Sequence, residues 1–138
     1  MLTWSSDLSV YVVEIDAQHK ELFGRINSFL DALEAQSSES PLGEIMSFLE
    51  QYLMMHFDYE EAYMDRYSVY GYAQEAQHKA THRAFKRDFA EFKADMIVRS
   101  VTPQFTNEFK KWIVNWWLIH INKIDKDLGK FIKTVILL

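Results

Sequence analysis

Cysteine is absent from this chain of 138 residues, which excludes disulfides, thiolate zinc sites and ordinary iron–sulfur clusters. Any metal chemistry must therefore use nitrogen and oxygen donors. No apolar run approaches the roughly 20 residues that a membrane span needs, and the leading MLTWSSDLSV lacks a charged segment followed by an apolar one. There is no basic stripe either: the formal charge is −5, with Lys, Arg, Asp and Glu interspersed, so nucleic acid is not an expected partner. These absences lead us to expect a cytoplasmic protein without a membrane or nucleic-acid partner. Proline occurs twice, and both times it follows a hydroxyl residue, as Ser40-Pro41 and Thr102-Pro103. Each pair sets a side-chain cap before a proline at the first helical position, where its missing N–H costs nothing.

What is present is apolar and aromatic, at 49% and 15% of the residues, enough for one core and a single domain over residues 1–138. Three breaks, at Gln36–Gly43, Tyr67–Gly71 and Arg99–Pro103, separate four segments of helical periodicity. The first helix is expected from about Ala17, capped by Asp16, to near Ala35. Short connections between long helices favour an all-α, up-down-up-down antiparallel four-helix bundle. An N-terminal loop precedes it. From Asp127 onward, Phe131, Ile132 and Val135 mark a short final helix, whose apolar end at 135–138 would cover the bundle or pair with a second subunit.

The histidines continue the apolar stripes. His19 leads Leu22, Phe23, Ile26, Phe29 and Leu33, while Ile45, Leu49 and Tyr52 lead into His56, Glu60 and Tyr63. His78 and His82 lead Phe85, Phe89, Phe92 and Met96, and Phe105, Phe109, Trp112 and Trp116 lead to His120. Residues four apart on a helix stand about 5–6 Å apart at their β-carbons, so His56/Glu60 and His78/His82 are ready-made ligand pairs. In an antiparallel bundle, early positions in odd helices and late positions in even ones meet at one end, where Asp125 joins them. Five imidazoles and two carboxylates buried there unpaired would be costly. Zinc wants only four ligands, and seven side chains exceed one octahedral ion, so two ions are implied. With Glu60, Asp125 and one solvent oxygen bridging, a three-plus-two division of imidazoles leaves one ion six-coordinate and the other five-coordinate, open to a small ligand. Iron suits this donor set. The spacing from His120 to Asp125 turns through about 500° on an ideal helix and leaves the side chains about 140° apart, so a π-bulge or a break must intervene.

Four segments, EIDAQHKELF (Glu14–Phe23), HFDYEEAYM (His56–Met64), HKATH (His78–His82) and HINKID (His120–Asp125), together with Trp4, resemble the hemerythrins, specifically the bacterial branch. The resemblance implies His78, His82 and His120 on the six-coordinate iron, His19 and His56 on the five-coordinate iron, and Glu60 and Asp125 bridging an oxo- or hydroxo-linked pair. It further implies reversible dioxygen binding for storage, delivery or sensing, by a binding protein that needs no catalytic acid or base. Azide and nitric oxide are expected alternative ligands.

Leu22, Phe57, Trp116, Trp117 and Ile121 resemble or adjoin the family's ligand pocket. Trp117 departs from the pattern, which usually carries leucine there, and the larger indole is expected to narrow the pocket. Met54, Met55 and Met64 read as core filler, and Asp58 and Glu61 as solvated or supporting groups. Other readings of the same residues are a di-iron oxidase or peroxidase, a redox- or nitric-oxide-sensing module acting on a separate partner, and a zinc site. The oligomeric state is not specified by the sequence.

Overall fold

A computed structural model describes residues 1–35 and 42–136. Four long helices form the antiparallel bundle: α1 (Val13–Ala35), α2 (Leu42–Arg66), α3 (Glu75–Arg99) and α4 (Pro103–His120). A π-helical turn over Ile121–Asp125 joins α4 to α5 (Lys126–Ile136), and single 3-10 turns occur at Ser6–Leu8 and Ser68–Tyr70. Helix α1 packs against α2 and α4, and α2 against α3. Each buries the stripe its sequence carries: Leu22, Phe23, Ile26, Phe29 and Leu33 from α1, Leu49 and Leu53 from α2, and Phe85, Phe89 and Met96 from α3. Helix α4 differs from expectation, because its buried line runs through Phe109, Ile113, Trp117 and His120. Trp112 and Trp116 lie to one side of that line and are only half-buried.

The starts of α1 and α4 contrast. Thr102 caps α4 as expected, its hydroxyl accepting from the Phe105 N–H at 3.1 Å with Pro103 behind it. Helix α1 begins at Val13, so Asp16 lies inside it and does not cap it. The Asp16 carboxylate instead accepts from the Val10 N–H at 2.8 Å and the Ser9 hydroxyl at 2.5 Å, fastening the N-terminal loop back onto the helix. The same group that suits an N-cap also suits a loop staple, and periodicity alone does not distinguish them. Ser40-Pro41 lies outside the described residues. Of the three methionines, Met64 is fully buried and Met54 partly so, whereas Met55 is 43% exposed on the outer face of α2.

The N-terminal loop and α5 close the bundle together. Asn27 brackets Leu2 by accepting from its N–H and donating to its carbonyl, at 2.9 and 2.8 Å. Lys126 donates to the Asp7 carbonyl at 2.6 Å. Leu128, Gly129, Ile132 and Val135 form the buried face of α5, so residues 135 and 136 end a helix seated on the bundle; 137–138 lie outside the described residues. At Gly129 the loop backbone is so close that an added Cβ would stand 1.7 Å from the Val10 carbonyl oxygen. Gly129→Ala must therefore push loop and helix apart, and a loss of roughly 1–3 kcal/mol is expected in urea unfolding. Gly24→Ala on exposed α1, where a Cβ meets nothing within 4 Å, should instead gain roughly 0.5–1 kcal/mol in the same measurement.

Candidate metal centre

The bundle brings all seven expected residues into one buried cluster at the end covered by α5. His19 comes from early α1, His56 and Glu60 from late α2, His78 and His82 from early α3, His120 from the end of α4, and Asp125 from the π-helical turn. That turn answers the spacing problem: the Lys126 N–H bonds the Ile121 carbonyl five residues back, and the added residue in the turn swings Asp125 to the side that His120 occupies. His120 Nε2 then stands 3.0 Å from Asp125 Oδ1.

Each carboxylate reaches both halves of the cluster. Asp125 Oδ1 lies 3.0 Å from the Nε2 atoms of His78 and His120, and its Oδ2 lies 3.1 Å from His19 Nε2. Glu60 Oε1 is 3.2 Å from His82 Nε2, and Oε2 is 3.5 Å from His56 Nε2. Donor atoms of Glu60, His78, His82, His120 and Asp125 fall within 4.8 Å of one another, as do those of His19, His56, Glu60 and Asp125. The imidazoles thus divide three and two around a shared pair of carboxylates. Both oxygens of each carboxylate, and Nε2 of His78, His82 and His120, lack a hydrogen-bond partner although fully enclosed. His19 and His56 point their Nε2 atoms at each other, 3.1 Å apart. A shell of nitrogen and oxygen atoms converging this closely, with more lone pairs than protons to share among them, is what cations satisfy.

Outer contacts fix the ring orientations. Gln18 Oε1 lies 2.8 Å from His56 Nδ1, Glu61 Oε2 2.8 Å from His82 Nδ1, and the Tyr72 hydroxyl 3.1 Å from His78 Nδ1. With Nε2 turned inward, each Nδ1 carries the proton and donates outward, as in carboxylate–histidine–metal arrangements. Glu61 is the supporting group its position allowed; Asp58 is exposed. Neither Gln18 nor Tyr72 is marked by the sequence pattern. Gln18 adjoins His19 in sequence yet serves His56 on the neighbouring helix, and Tyr72 lies outside the helices, so periodicity contains no signal for either.

Aromatic rings wall the cluster. Phe57 stacks on His82 with centroids 4.1 Å apart, and Trp116 stacks on His120 at 4.2 Å. Trp117 lies parallel to Phe57 at 5.7 Å and faces His56 at 5.7 Å and His19 at 6.2 Å. Leu22 and Ile121 are fully buried in the same core. All five expected pocket residues are therefore in the core or at its edge, with Trp117 on the two-histidine side.

The charges are balanced by protons when no cation is held. Burial lowers His56 to about 4, outweighing the pull of Glu60, and burial likewise lowers His120. Burial acts against His78 and His19 as well, but Asp125 and then Glu60 prevail and raise both, His78 to about 9. Burial and Asp125 push Glu60 upward, yet the surrounding imidazoles hold it at about 2; Asp125 is held well below its usual range against the same burial, with His120 the foremost cause. A raised histidine stabilises the fold fully below its unfolded value of 6.5, and that contribution is lost as pH rises through about 9. Metal-free protein should consequently lose melting temperature as pH rises from 6.5 to 9. Metal-loaded protein should hold its melting temperature over that interval, and loading should release protons, measurable by calorimetry in buffers of different ionisation enthalpy.

No described helix is long and apolar enough to cross a membrane. Residues 11–132 match the family model "Hemerythrin HHE cation binding domain". The chain is 31% identical to a bacteriohemerythrin of Methylococcus capsulatus, covering 94% of this chain and 95% of that protein. It is 36% identical to a hemerythrin-like protein of Naegleria gruberi, covering 81% of each. Among solved structures, a wild-type hemerythrin superposes with a TM-score of 0.76 at 31% identity, over 94% of this chain and 96% of that one. A hemerythrin bearing a leucine-to-tyrosine substitution gives 0.78 at 30%, over 96% and 97%. Bundle, π-helical turn, buried histidine–carboxylate cluster and sequence similarity over nearly the full length agree: this chain belongs to the hemerythrin family.

Proposed function

We propose that the cluster holds two iron ions and binds dioxygen reversibly, in a cytoplasmic storage, delivery or sensing protein that is not an enzyme. The observation that carries this reading is the three-to-two division of imidazoles around two carboxylates that each reach both halves. His78, His82 and His120 would complete one ion, and His19 and His56 would leave the other open to a small ligand. The chemistry a ferrous pair would supply there is reversible binding of dioxygen, each ion giving one of the two electrons that dioxygen takes up and regaining it on release. The chain's own residues do the rest. Glu60 and Asp125 would neutralise positive charge on the pair, while Gln18, Glu61 and Tyr72 hold three rings in the tautomer that presents Nε2 inward. Phe57, Trp117, Leu22 and Ile121 keep bulk water from the open side. No acid or base with a path to solvent is needed.

The histidine-rich donor set speaks against an oxidase, whose bundles gather carboxylates to support more oxidised iron. Protein loaded with ferrous iron under reducing conditions should contain two irons per chain and develop a charge-transfer band on exposure to oxygen that disappears on deoxygenation. One iron per chain, or steady oxygen consumption with a reductant in place of a reversible band, would reject the proposal.

Removing a bridging group should do more harm than removing a terminal one. Glu60→Ala is expected to lose the coupled pair, seen as loss of the antiferromagnetic signature in Mössbauer or magnetisation data. It should also lower the melting temperature of the iron-loaded protein, because binding to the folded state adds to its stability. A variant keeping two coupled irons and the parent melting temperature would show that Glu60 does not bridge.

A further inference from the structure

Trp117 is completely buried, and its indole Nε1–H has no hydrogen-bond partner. An enclosed N–H left unpaired is costly enough that folded proteins seldom keep one unless an acceptor arrives from elsewhere. The ring's neighbours narrow what that acceptor is. Phe57 covers one face, and Phe85 and Trp116 approach edge-on with centroids 5.7 and 4.9 Å away. None of these three presents a lone pair, since an indole only donates. The other ring neighbours are His56, His120 and His19, at 5.7, 6.0 and 6.2 Å. Their Nε2 atoms converge on the cluster, His56 Nδ1 is engaged by Gln18, and His19 Nδ1 must itself carry hydrogen once Nε2 binds a cation. His120 Nδ1 must likewise carry hydrogen once Nε2 binds a cation, so none of the ring neighbours offers the acceptor, and a ligand bound at the cluster would supply one. His19 and His56 form the half with two imidazoles, where such a ligand has a coordination position to fill.

We propose that Trp117 is a ligand-binding residue whose Nε1–H donates to a small anionic ligand seated on the His19–His56 side of the cluster. This rests on the di-iron reading and adds a role to the pocket, which would otherwise exclude water by apolar bulk alone. Indole retains its proton at any pH the fold survives, so it stabilises negative charge on the ligand without protonating it. The class it favours is small linear or diatomic ligands that carry negative charge when bound, azide being the convenient probe.

The test compares parent protein and Trp117→Phe, both loaded with iron and oxidised. Azide association and dissociation are followed by stopped flow at its charge-transfer band, and ultraviolet resonance Raman follows the indole N–H-sensitive modes. Losing a hydrogen bond to a charged group should speed azide dissociation by roughly 10- to 100-fold, with association no slower than in the parent. In the parent, azide should shift an indole N–H mode, and that difference should be missing from the variant. A residue that only narrows the entrance would alter both rates together and leave the N–H mode unmoved. An unchanged dissociation rate in a variant holding two irons, or an unmoved mode in the parent, overturns the proposal. Should the variant fail to hold iron, the parent's Raman difference decides alone. A parent that binds two irons and oxygen with an unmoved indole mode overturns this inference only, whereas a parent without an iron pair or azide band overturns the di-iron reading with it.

Discussion

Asp125 touches imidazoles from α1, α3 and α4 within 3.1 Å, and with Glu60 it is sealed from water among five histidines. Two carboxylates in that setting must be neutralised, by protons shared among the rings or by cations. The rest of the molecule follows from that requirement. Four helices must deliver their ligands to one height, the α4–α5 junction must wind as a π-turn to bring Asp125 round, and the N-terminal loop and α5 must cap the end so that the charges stay in a dry environment. Protons and a bound metal would compete for the same Nε2 atoms. His78 and His19, the rings that burial fails to keep neutral, face Asp125 oxygens at 3.0 and 3.1 Å, and theirs are the protons a cation would displace.

The two halves of the cluster are not equivalent, and the difference lies outside the ligand atoms. On the three-histidine side, His82 rests on the Glu61 carboxylate, His78 on the Tyr72 phenol, and His120 against the half-buried face of Trp116. An anionic or phenolic acceptor makes an imidazole a stronger donor to metal. On the two-histidine side, His56 has only the neutral amide of Gln18, and His19 has no outer partner. That side is closed by Phe57 and Trp117. Under the proposed two-ion reading, such an arrangement would hold one ion tightly and leave the other more open and walled by aromatic rings.

Much of this was legible before any coordinates. Period 3.6 in the apolar residues, extended without interruption by His19, His56, Glu60, His78, His82 and His120, requires those groups to face the core. The antiparallel order of four such helices brings them to one end, and five residues between His120 and Asp125 are incompatible with an unbroken α-helix. Cysteine's absence fixed the donor chemistry as nitrogen and oxygen. These features are properties of single helices or of chain order, so the sequence determines them by itself.

Other features depend on how faces meet across helices. Whether Asp16 caps α1 or clasps the loop is decided by where the backbone of Val10 lies, and which tryptophan of the adjacent pair enters the core is decided by the rotation of α4 against α1, α2 and α3. Gln18 reaches His56 across thirty-eight positions, and Tyr72 reaches His78 from a segment without periodicity. Sequence spacing specifies neighbours along a helix and says little about the side chain that a packed neighbour will offer. The histidine–carboxylate set was therefore decided by the sequence, while the groups that orient those side chains and wall the cluster were decided only when the helices packed.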